Sequence, residues 1–223
     1  MNMLNKITVL LADDHVIVRE GFRSLLATDS EIKVIGEAQD GREAVALAIK
    51  LRPAVVLMDI AMPLMNGLEA TRQIVKAVPA SKVLILSAHC DDAYVSNAIA
   101  CGAVGFLTKQ TSASDMSSAI RAVLLSNTFI RPVPRFIAQG AKRSGRLPRA
   151  MPTLSSREIE VLQLITEGNA NKQIAQYLDI SVKTVEKHRE HLMAKLDIHD
   201  TAGLTRYAIA AGIIENCVQV TIV

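Results

Sequence analysis

The sequence has no tryptophan, few aromatic residues of any kind and no long apolar run. Aromatic residues make up 3% of the 223 residues while 50% are hydrophobic, so any core must be built mainly from Leu, Ile, Val and Ala. No apolar stretch approaches the roughly 18 residues that a membrane-spanning helix needs, and the N-terminus lacks the basic and small-residue signals of a secretory leader. The sequence therefore predicts a cytoplasmic protein with no membrane segment.

Cysteine is also scarce. The three cysteines, Cys90, Cys101 and Cys217, are odd in number and widely spaced, and no CxxC pair is present. A disulfide framework or a cysteine-based metal site is therefore disfavoured, and we expect reduced thiols.

Positive charge is concentrated in one short stretch. Residues 127–152 contain six basic and no acidic side chains, together with four prolines and two glycines. This composition predicts a basic linker between a first domain at 1–126 and a second at 153–216, followed by an apolar tail at 217–223 that has no assigned role. A solvated linker is the ordinary interpretation, and contact with nucleic-acid phosphates stays open as the alternative.

The first domain alternates short β-branched runs with amphipathic helical patterns. This rhythm is typical of a five-stranded, doubly wound parallel sheet with helices on both faces, an α/β fold. The predicted strands are 7–12, 32–38, 54–58, 82–87 and 105–107. The predicted helices are 16–28, 41–51, 66–77, 92–101 and 114–125.

The second domain has helical patterns throughout. Ser155 and Glu158 have the spacing of a capping box ahead of an apolar helical series. Further helices are predicted at 171–178, 182–196 and 201–211, with Ser181 as the cap of the third, so the domain is all-α with four helices. Ala170 stands where a capping side chain is expected, and we expect Asn169 or Asn171 to replace it.

Five side chains suited to phosphoryl transfer follow the predicted strands. Asp13 and Asp14 follow the first strand, Asp59 the third, Ser87 ends the fourth and Lys109 lies just past the fifth. In an open α/β sheet these strand ends share one edge. Crowded carboxylates favour a bound cation, and Mg²⁺ with its oxygen ligands meets that need. A single aspartate at a strand end is more often structural, but five such residues at one edge indicate a site.

The motifs ADDH (12–15), MDIAMPLMNG (58–67), LSAH (86–89) and GFLTK (105–109) resemble the receiver domain of two-component response regulators, which has a flavodoxin-like fold. The resemblance implies that Asp59 is the phosphoacceptor. It implies Mg²⁺ ligands at Asp13, Asp14, Asp59 and the backbone carbonyl of Ala61. Lys109 and Ser87 would contact the phosphoryl oxygens, and Phe106 would turn inward as Ser87 moves. Many receivers have proline after the lysine, whereas this chain has Gln110, so no cis peptide is assumed there.

The motifs TLSSRE (153–158), NKQIA (171–175) and SVKTVEKH (181–188) resemble the LuxR-type helix-turn-helix, and with the receiver they resemble the NarL/FixJ subfamily. The resemblance implies base contacts from the recognition helix at Glu186, Lys187 and Glu190. Phosphate contacts would fall to Lys172, Lys183, Thr184 and Arg189. Helix 201–211 resembles the dimerisation helix of the family, which implies a homodimer on inverted half-sites.

These resemblances imply a transcription regulator that a partner histidine kinase phosphorylates, with double-stranded DNA as its target and RNA polymerase as a further candidate partner. Two alternatives come from other classes. A metal-dependent phosphotransfer enzyme of the aspartyl phosphatase type would place DxD on its first strand. Here Asp13 and Asp14 are adjacent and the candidate nucleophile is the distant Asp59, so we expect no enzyme acting on outside substrates. A receiver that serves as a phosphorylation-independent dimerisation module stays open, although the intact acidic pocket disfavours it.

Overall fold

A computed structural model of the chain describes residues 6–88, 92–125 and 154–214. The predictions for the linker at 127–152, the tail at 217–223, Cys90 and Cys217 lie outside the described residues. Cys101 is a buried free thiol. No helix in the described ranges is both long and apolar enough to cross a bilayer.

Five parallel strands form the sheet of the first domain, in the order β2-β1-β3-β4-β5. The strands are β1 (Ile7–Ala12), β2 (Ile32–Ala38), β3 (Val55–Asp59), β4 (Lys82–Ser87) and β5 (Gly105–Thr108). Every residue of β3 is buried, because helices cover both faces of the sheet. The strand order reverses between β1 and β3, and the carboxyl ends of strands at such a switch point are where open α/β sheets bind ligands.

Five helices cover the sheet: α1 (Val16–Ala27), α2 (Gly41–Leu51), α3 (Gly67–Ala77), α4 (Asp92–Ala100) and α5 (Ala113–Leu125). Alternate residues of each strand serve opposite faces. Val9 packs with Phe22 and Ile120, on the side of α1 and α5. Leu10 packs in the opposite core with Ile74, on the side of α2, α3 and α4. The predicted doubly wound α/β fold is confirmed.

The second domain contains α6 (Ser156–Thr166), α7 (Asn171–Leu178), α8 (Val182–Leu196) and α9 (Thr201–Ala210). Its core is formed by side chains from all four helices, among them Val161, Ile174, Val185 and Leu204. The all-α prediction is therefore confirmed.

Two predicted helix caps in this domain are also confirmed. Ser155 Oγ accepts from Glu158 N at 3.3 Å while Glu158 Oε2 accepts from Ser155 N at 2.8 Å, which completes the capping box. Ser181 Oγ accepts from Thr184 N at 3.1 Å and caps α8.

The predicted cap of α7 is wrong. Asn169 donates instead to the carbonyl of Leu164 at 3.1 Å, and the Asn171 side chain accepts from Arg189 at 3.4 Å. Gln173 Oε1 accepts from Ala170 N at 2.8 Å. The start of α7 therefore has half of a capping box. Gln173, the third residue of the helix, supplies this half, which needs no side chain at the cap position.

The remaining differences from the predicted elements are single residues at element ends. β3 begins and ends one residue later than predicted, so Asp59 is its last residue. β5 extends one residue further, to Thr108. The last residue of a helix or a strand is decided by its final hydrogen bond, which a hydrophobic pattern does not define.

Candidate functional site

The carboxyl ends of β1 and β3 bring three aspartates together. β1 and β3 are neighbouring strands, and Ala12 lies opposite Met58. Asp13 is the residue after Ala12, and Asp59 is the residue after Met58. Asp13 and Asp59 are 2% and 1% exposed, whereas Asp14 is partly exposed. The predicted acidic edge is thus a pocket in which two of the carboxylates are removed from water.

Lys109 bridges the two buried carboxylates. Its Nζ lies 2.7 Å from Asp59 Oδ2 and 2.9 Å from Asp13 Oδ2. The backbone N–H of Lys109 donates to the carbonyl of Ser87 at 2.9 Å, which fixes the turn after β5 against the end of β4. The described residues contain no cis peptide bond, so the bond between Lys109 and Gln110 is trans.

Burial and charge crowding shift the proton affinity of the pocket. Burial, with a further contribution from the Asp13 and Asp14 carboxylates, raises the pKa of Asp59 to about 7 even though Lys109 opposes the shift. Burial acts to lower the pKa of Lys109, but the Asp59 and Asp13 carboxylates outweigh it and raise that pKa above its ordinary value. Burial therefore makes the Asp59 carboxylate costly to ionise even with Lys109 beside it.

The residues of the pocket fit a hard divalent cation. Ligand atoms of Asp13, Asp14, His15 and Asp59 all lie within 4.8 Å of one another. Asp59 Oδ1 is buried and has no hydrogen-bond partner among the described residues. Asp13 Oδ2 and Asp14 Oδ1 are likewise buried without a hydrogen bond among the described residues, and clustered carboxylate oxygens of this kind suit Mg²⁺. Ala61, the predicted carbonyl ligand, lies two residues beyond Asp59 at a partly exposed position, and its role stays a prediction.

The loop from β3 to α3 closes one side of the pocket. A Cβ on Gly67 would lie 1.8 Å from the carbonyl oxygen of Asp59, so only glycine allows α3 to begin this close to the strand end. Asn66 caps α3 by accepting from Glu69 N at 2.9 Å. Leu64 has a φ of 65°, a left-handed conformation that is strained for a leucine.

Helix α8 presents charged side chains on the side opposite its buried face. Val185 and Leu192 are buried in the core, as the hydrophobic pattern predicts. The predicted base-reading residues Glu186, Lys187 and Glu190 are all exposed. Their spacing places all three on one side of the helix.

The residues predicted to contact DNA phosphates differ in whether they already have partners within the protein. Lys172 and Lys183 are exposed at the N-terminal ends of α7 and α8. Thr184 Oγ1 lies 2.8 Å from the capping Ser181 hydroxyl. Arg189 reaches Asn171 Oδ1 and Thr201 Oγ1, both at 3.4 Å, and so links α7 to α9. Its predicted phosphate contact would have to be made alongside this structural role.

Comparisons with known proteins agree with this geometry. The family model of the response regulator receiver domain matches residues 9–121, and that of the bacterial regulatory proteins of the luxR family matches residues 152–208. The regulatory protein LiaR of Bacillus subtilis (strain 168) is 39% identical over 203 residues, which cover 91% of this chain and 96% of LiaR. This chain is a response regulator with a LuxR-type DNA-binding domain.

Solved structures of RcsB resemble this response regulator over nearly its whole length. RcsB of Salmonella typhimurium is 27% identical, with a TM-score of 0.54, and the match covers 92% of this chain and 99% of RcsB. A structure of two RcsB dimers bound to two parallel DNAs matches with the same identity and TM-score and covers 93% of this chain and 99% of that one.

Two further predicted site residues lie in the interior of this response regulator. Ser87 ends β4 and Phe106 belongs to β5, and both are 0% exposed. Phe106 already lies inside the core on the side of α4, where it packs among the residues around Val95 and Ala98. The resemblance to receivers implies that Phe106 turns inward as Ser87 moves. Phe106 has the inward orientation here, and the movement of Ser87 stays a prediction.

Two groups of residues around the site were missed by the sequence reasoning. His15 Nδ1 lies 2.7 Å from Asp14 Oδ1 and belongs to the carboxylate cluster; its position next to two aspartates was the available signal. Gln163 and Glu167 of the second domain contact the loop from β3 to α3. In the sequence they are ordinary polar positions on an amphipathic helix, so no signal pointed to them.

Proposed function

We propose that a partner histidine kinase phosphorylates Asp59 in an Mg²⁺-dependent reaction, and that this modification controls how the regulator binds operator DNA. The observation that carries the proposal is the environment of the two oxygens of the Asp59 carboxylate. Lys109 holds one of its oxygens, and the other is buried with no hydrogen-bond partner among the described residues. A carboxylate in this arrangement is positioned to act as a nucleophile.

The Asp59 carboxylate is the group that we assign to the attack. A P–O bond to one of its oxygens forms as the P–N bond of the phosphohistidine breaks, and Lys109 remains beside the site to pair with the phosphoryl oxygens. With a pKa of about 7, Asp59 is only partly ionised at neutral pH. Mg²⁺ held by Asp13, Asp14 and Asp59 would favour the ionised form and offset the charge of the phosphoryl group.

On the DNA side, the exposed face of α8 is proposed to enter the major groove. Lys187 suits guanine, which presents two acceptors there, and the carboxylates of Glu186 and Glu190 suit the amino group of cytosine. The RcsB match supports a homodimer on DNA, since that structure contains RcsB dimers bound to DNA. Helix α9 is the proposed dimer contact, which places inverted half-sites about one DNA turn apart.

The proposal includes no enzymatic activity on outside substrates. The chain would assist only its own phosphorylation and dephosphorylation, in the cytoplasm, and RNA polymerase is a further candidate partner. A phosphorylation-independent dimerisation role for the receiver is the second candidate, and it would leave Asp59 and its unpaired oxygen without a use.

The test is to sequence the genomic DNA fragments that the purified protein retains, with and without beryllofluoride and Mg²⁺, which mimic the phosphoryl group on Asp59. We expect beryllofluoride to enrich one inverted-repeat motif strongly, and fluoride with Mg²⁺ but without beryllium serves as the control. Equal recovery of that motif in both samples would favour the phosphorylation-independent role. No enrichment in either sample would contradict the proposed operator binding.

A further inference from the structure

A cavity of about 290 Å³ lies where the two domains of the protein meet. The domains are in direct contact, and Gln163 of α6 donates across the contact to the carbonyl of Met62 at 2.8 Å. The receiver lines this interdomain cavity with residues of α3 and the end of α4, and the second domain lines it with residues of α6 and α9. Protein interiors have few voids larger than a water molecule. A space of this volume is therefore larger than an ordinary packing defect.

Apolar side chains from both domains form most of the wall of the cavity. The receiver supplies Leu68 and Ala100, and the second domain supplies Leu154, Ile159 and Ile213. An apolar molecule that covers such side chains removes their surface, and its own, from water. Small-molecule sites are ordinarily lined in this way, with a few polar groups that fix the orientation of the ligand. The cavity is also partly open to solvent, which gives an occupant a path of entry.

The charged side chains at the cavity are already paired within the receiver. Arg72 Nη1 lies 2.5 Å from Glu69 Oε2, and Gln73 Nε2 donates to Glu69 Oε1 at 3.0 Å. The other terminal nitrogen of Arg72 lies 3.5 Å from Cys101 Sγ. A charged ligand would have to lose its hydration in a mostly apolar site and compete with this pair for a partner. The lining therefore favours a neutral occupant.

Two polar side chains of the lining have hydrogen-bonding capacity that no other described residue uses. Asn97 donates through Nδ2 to the carbonyl of Ala211 at 3.2 Å, but its Oδ1 accepts no hydrogen bond within the described ranges. Tyr207 is half-buried, and burial raises the pKa of its hydroxyl with no hydrogen bond or charge contributing. One acceptor and one hydroxyl thus remain for an occupant. A ligand hydroxyl suits both, because it can donate and accept.

We propose that the interdomain cavity binds a neutral, compact and mostly apolar small molecule that carries one hydroxyl group. A cavity of roughly 150 Å³ holds benzene, and this cavity is nearly twice that size. It therefore suits a molecule of about ten to twelve non-hydrogen atoms. The hydroxyl of the ligand pairs with Asn97 or Tyr207, and the apolar walls cover the rest of the molecule. This binding requires neither phosphorylation of Asp59 nor contact with DNA.

Thymol is the test ligand, because it is a compact neutral phenol of this size. Cumate, a carboxylate of similar size, is the charged comparison. Isothermal titration calorimetry of the full-length protein measures the affinity for each. Alkylation by N-ethylmaleimide, followed by peptide mass spectrometry, locates the site, because Cys101 is a buried free thiol that lines the cavity. Bound thymol should slow alkylation of Cys101 and leave the rates at Cys90 and Cys217 unchanged.

Two substitutions change the cavity itself. Ala100→Phe places an aromatic ring at an exposed position of the lining, at the end of α4, and should obstruct the cavity. Ala77→Phe is the matched control, because Ala77 is the exposed last residue of α3 and does not line the cavity. Tyr207→Phe removes only a hydroxyl, so it tests the polar contact if Ala100→Phe fails to fold. Circular dichroism and small-angle X-ray scattering show whether each variant keeps its fold and dimensions.

We expect thymol to bind the wild type and Ala77→Phe with a dissociation constant of about 100 µM or tighter. Cumate should bind the wild type at least about 10-fold more weakly because of its charge. Ala100→Phe should weaken thymol binding at least about 10-fold, and Tyr207→Phe should weaken it about 3-fold to 10-fold through the loss of one hydrogen bond. Saturating thymol should slow alkylation of Cys101 at least about 5-fold.

Absence of thymol binding to the wild type at about 1 mM would overturn the proposal. Equal thymol affinity of the wild type and a folded Ala100→Phe, or unchanged alkylation of Cys101 in saturating thymol, would place any bound thymol elsewhere and overturn the assigned site. Equal affinity for cumate and thymol would overturn the neutral class of ligand, and undiminished binding to Tyr207→Phe would overturn the role of the Tyr207 hydroxyl. None of these results would alter the proposed response to phosphorylation.

Discussion

The acidic pocket and the DNA-facing side of α8 both depend on charged side chains, but they hold those charges in opposite surroundings. Asp13 and Asp59 are almost fully buried and share one lysine, whereas Lys183 and Lys187 are exposed to solvent. Interactions between buried charges are strong and depend on exact geometry, while those of exposed charges are weak and screened by salt. A single substitution in the pocket should therefore abolish phosphorylation, whereas a single substitution on α8 should weaken DNA binding only in part.

The largest effect is expected from removing the nucleophilic oxygen. Asp59→Asn should lower phosphorylation by acetyl phosphate and Mg²⁺ at least about 100-fold, because the amide cannot form the acyl phosphate. Intact-mass spectrometry measures the phosphorylated fraction. Asp197→Asn, whose side chain is 99% exposed, is the control and should be phosphorylated like wild type. Undiminished phosphorylation of Asp59→Asn would mean that the pocket is not the acceptor site.

The same substitution should stabilise the receiver without Mg²⁺ at high pH. Because the pKa of Asp59 is raised from 3.8 to about 7, the folded receiver binds this proton more tightly than the unfolded chain. The stability that the proton contributes is complete below about pH 4 and is lost as pH rises through 7. At pH 8 in a chelator, Asp59→Asn should therefore be more stable than wild type by roughly 1–4 kcal/mol.

Scanning calorimetry of the receiver transition from pH 5 to pH 8 tests this expectation. The advantage of Asp59→Asn should shrink as pH falls towards 5, and Mg²⁺ should reduce it at pH 8 by binding the wild-type carboxylates. A difference between the two proteins that stays constant with pH would show that ionisation of Asp59 has no energetic cost in the pocket.

A smaller effect is expected on the exposed face of α8. Lys187→Ala should weaken operator binding by about 1–3 kcal/mol and relax the preference at one base position, as loss of a base contact does. Lys183→Ala is the matched comparison: it should weaken binding to all sequences alike and reduce the salt dependence by a slope of about 1. Anisotropy titrations on the operator and on single-base variants separate the two, and identical behaviour would contradict the assigned roles.

The sequence was informative where one local pattern decides the structure. The runs VVLMD and KVLILS predict strands covered on both faces, since apolar side chains at successive positions point to opposite sides of a sheet. The acids at the carboxyl ends of β1 and β3 could be placed at one edge because a parallel sheet brings its strand ends together. The pairing of Ser155 with Glu158 likewise depends only on their spacing.

Contacts between distant segments were beyond the same reasoning. Glu160 and Gln163 occupy positions of α6 that a hydrophobic pattern assigns to solvent, yet they are 5% and 1% exposed because the receiver covers them. The left-handed Leu64 is equally invisible in the sequence, since this conformation is ordinarily taken by glycine or asparagine. Docking of two folded domains is decided by the complementarity of their whole surfaces, which no short motif encodes.

Control of DNA binding from the acidic pocket is tested most directly through the state of Asp59. The affinity of wild type and Asp59→Asn for a duplex with both half-sites would be measured with and without beryllofluoride and Mg²⁺. We expect the mimic to tighten wild-type binding by about 10-fold or more and to leave the affinity of Asp59→Asn unchanged. Equal affinity of the wild type in both conditions would contradict control of DNA binding by the pocket.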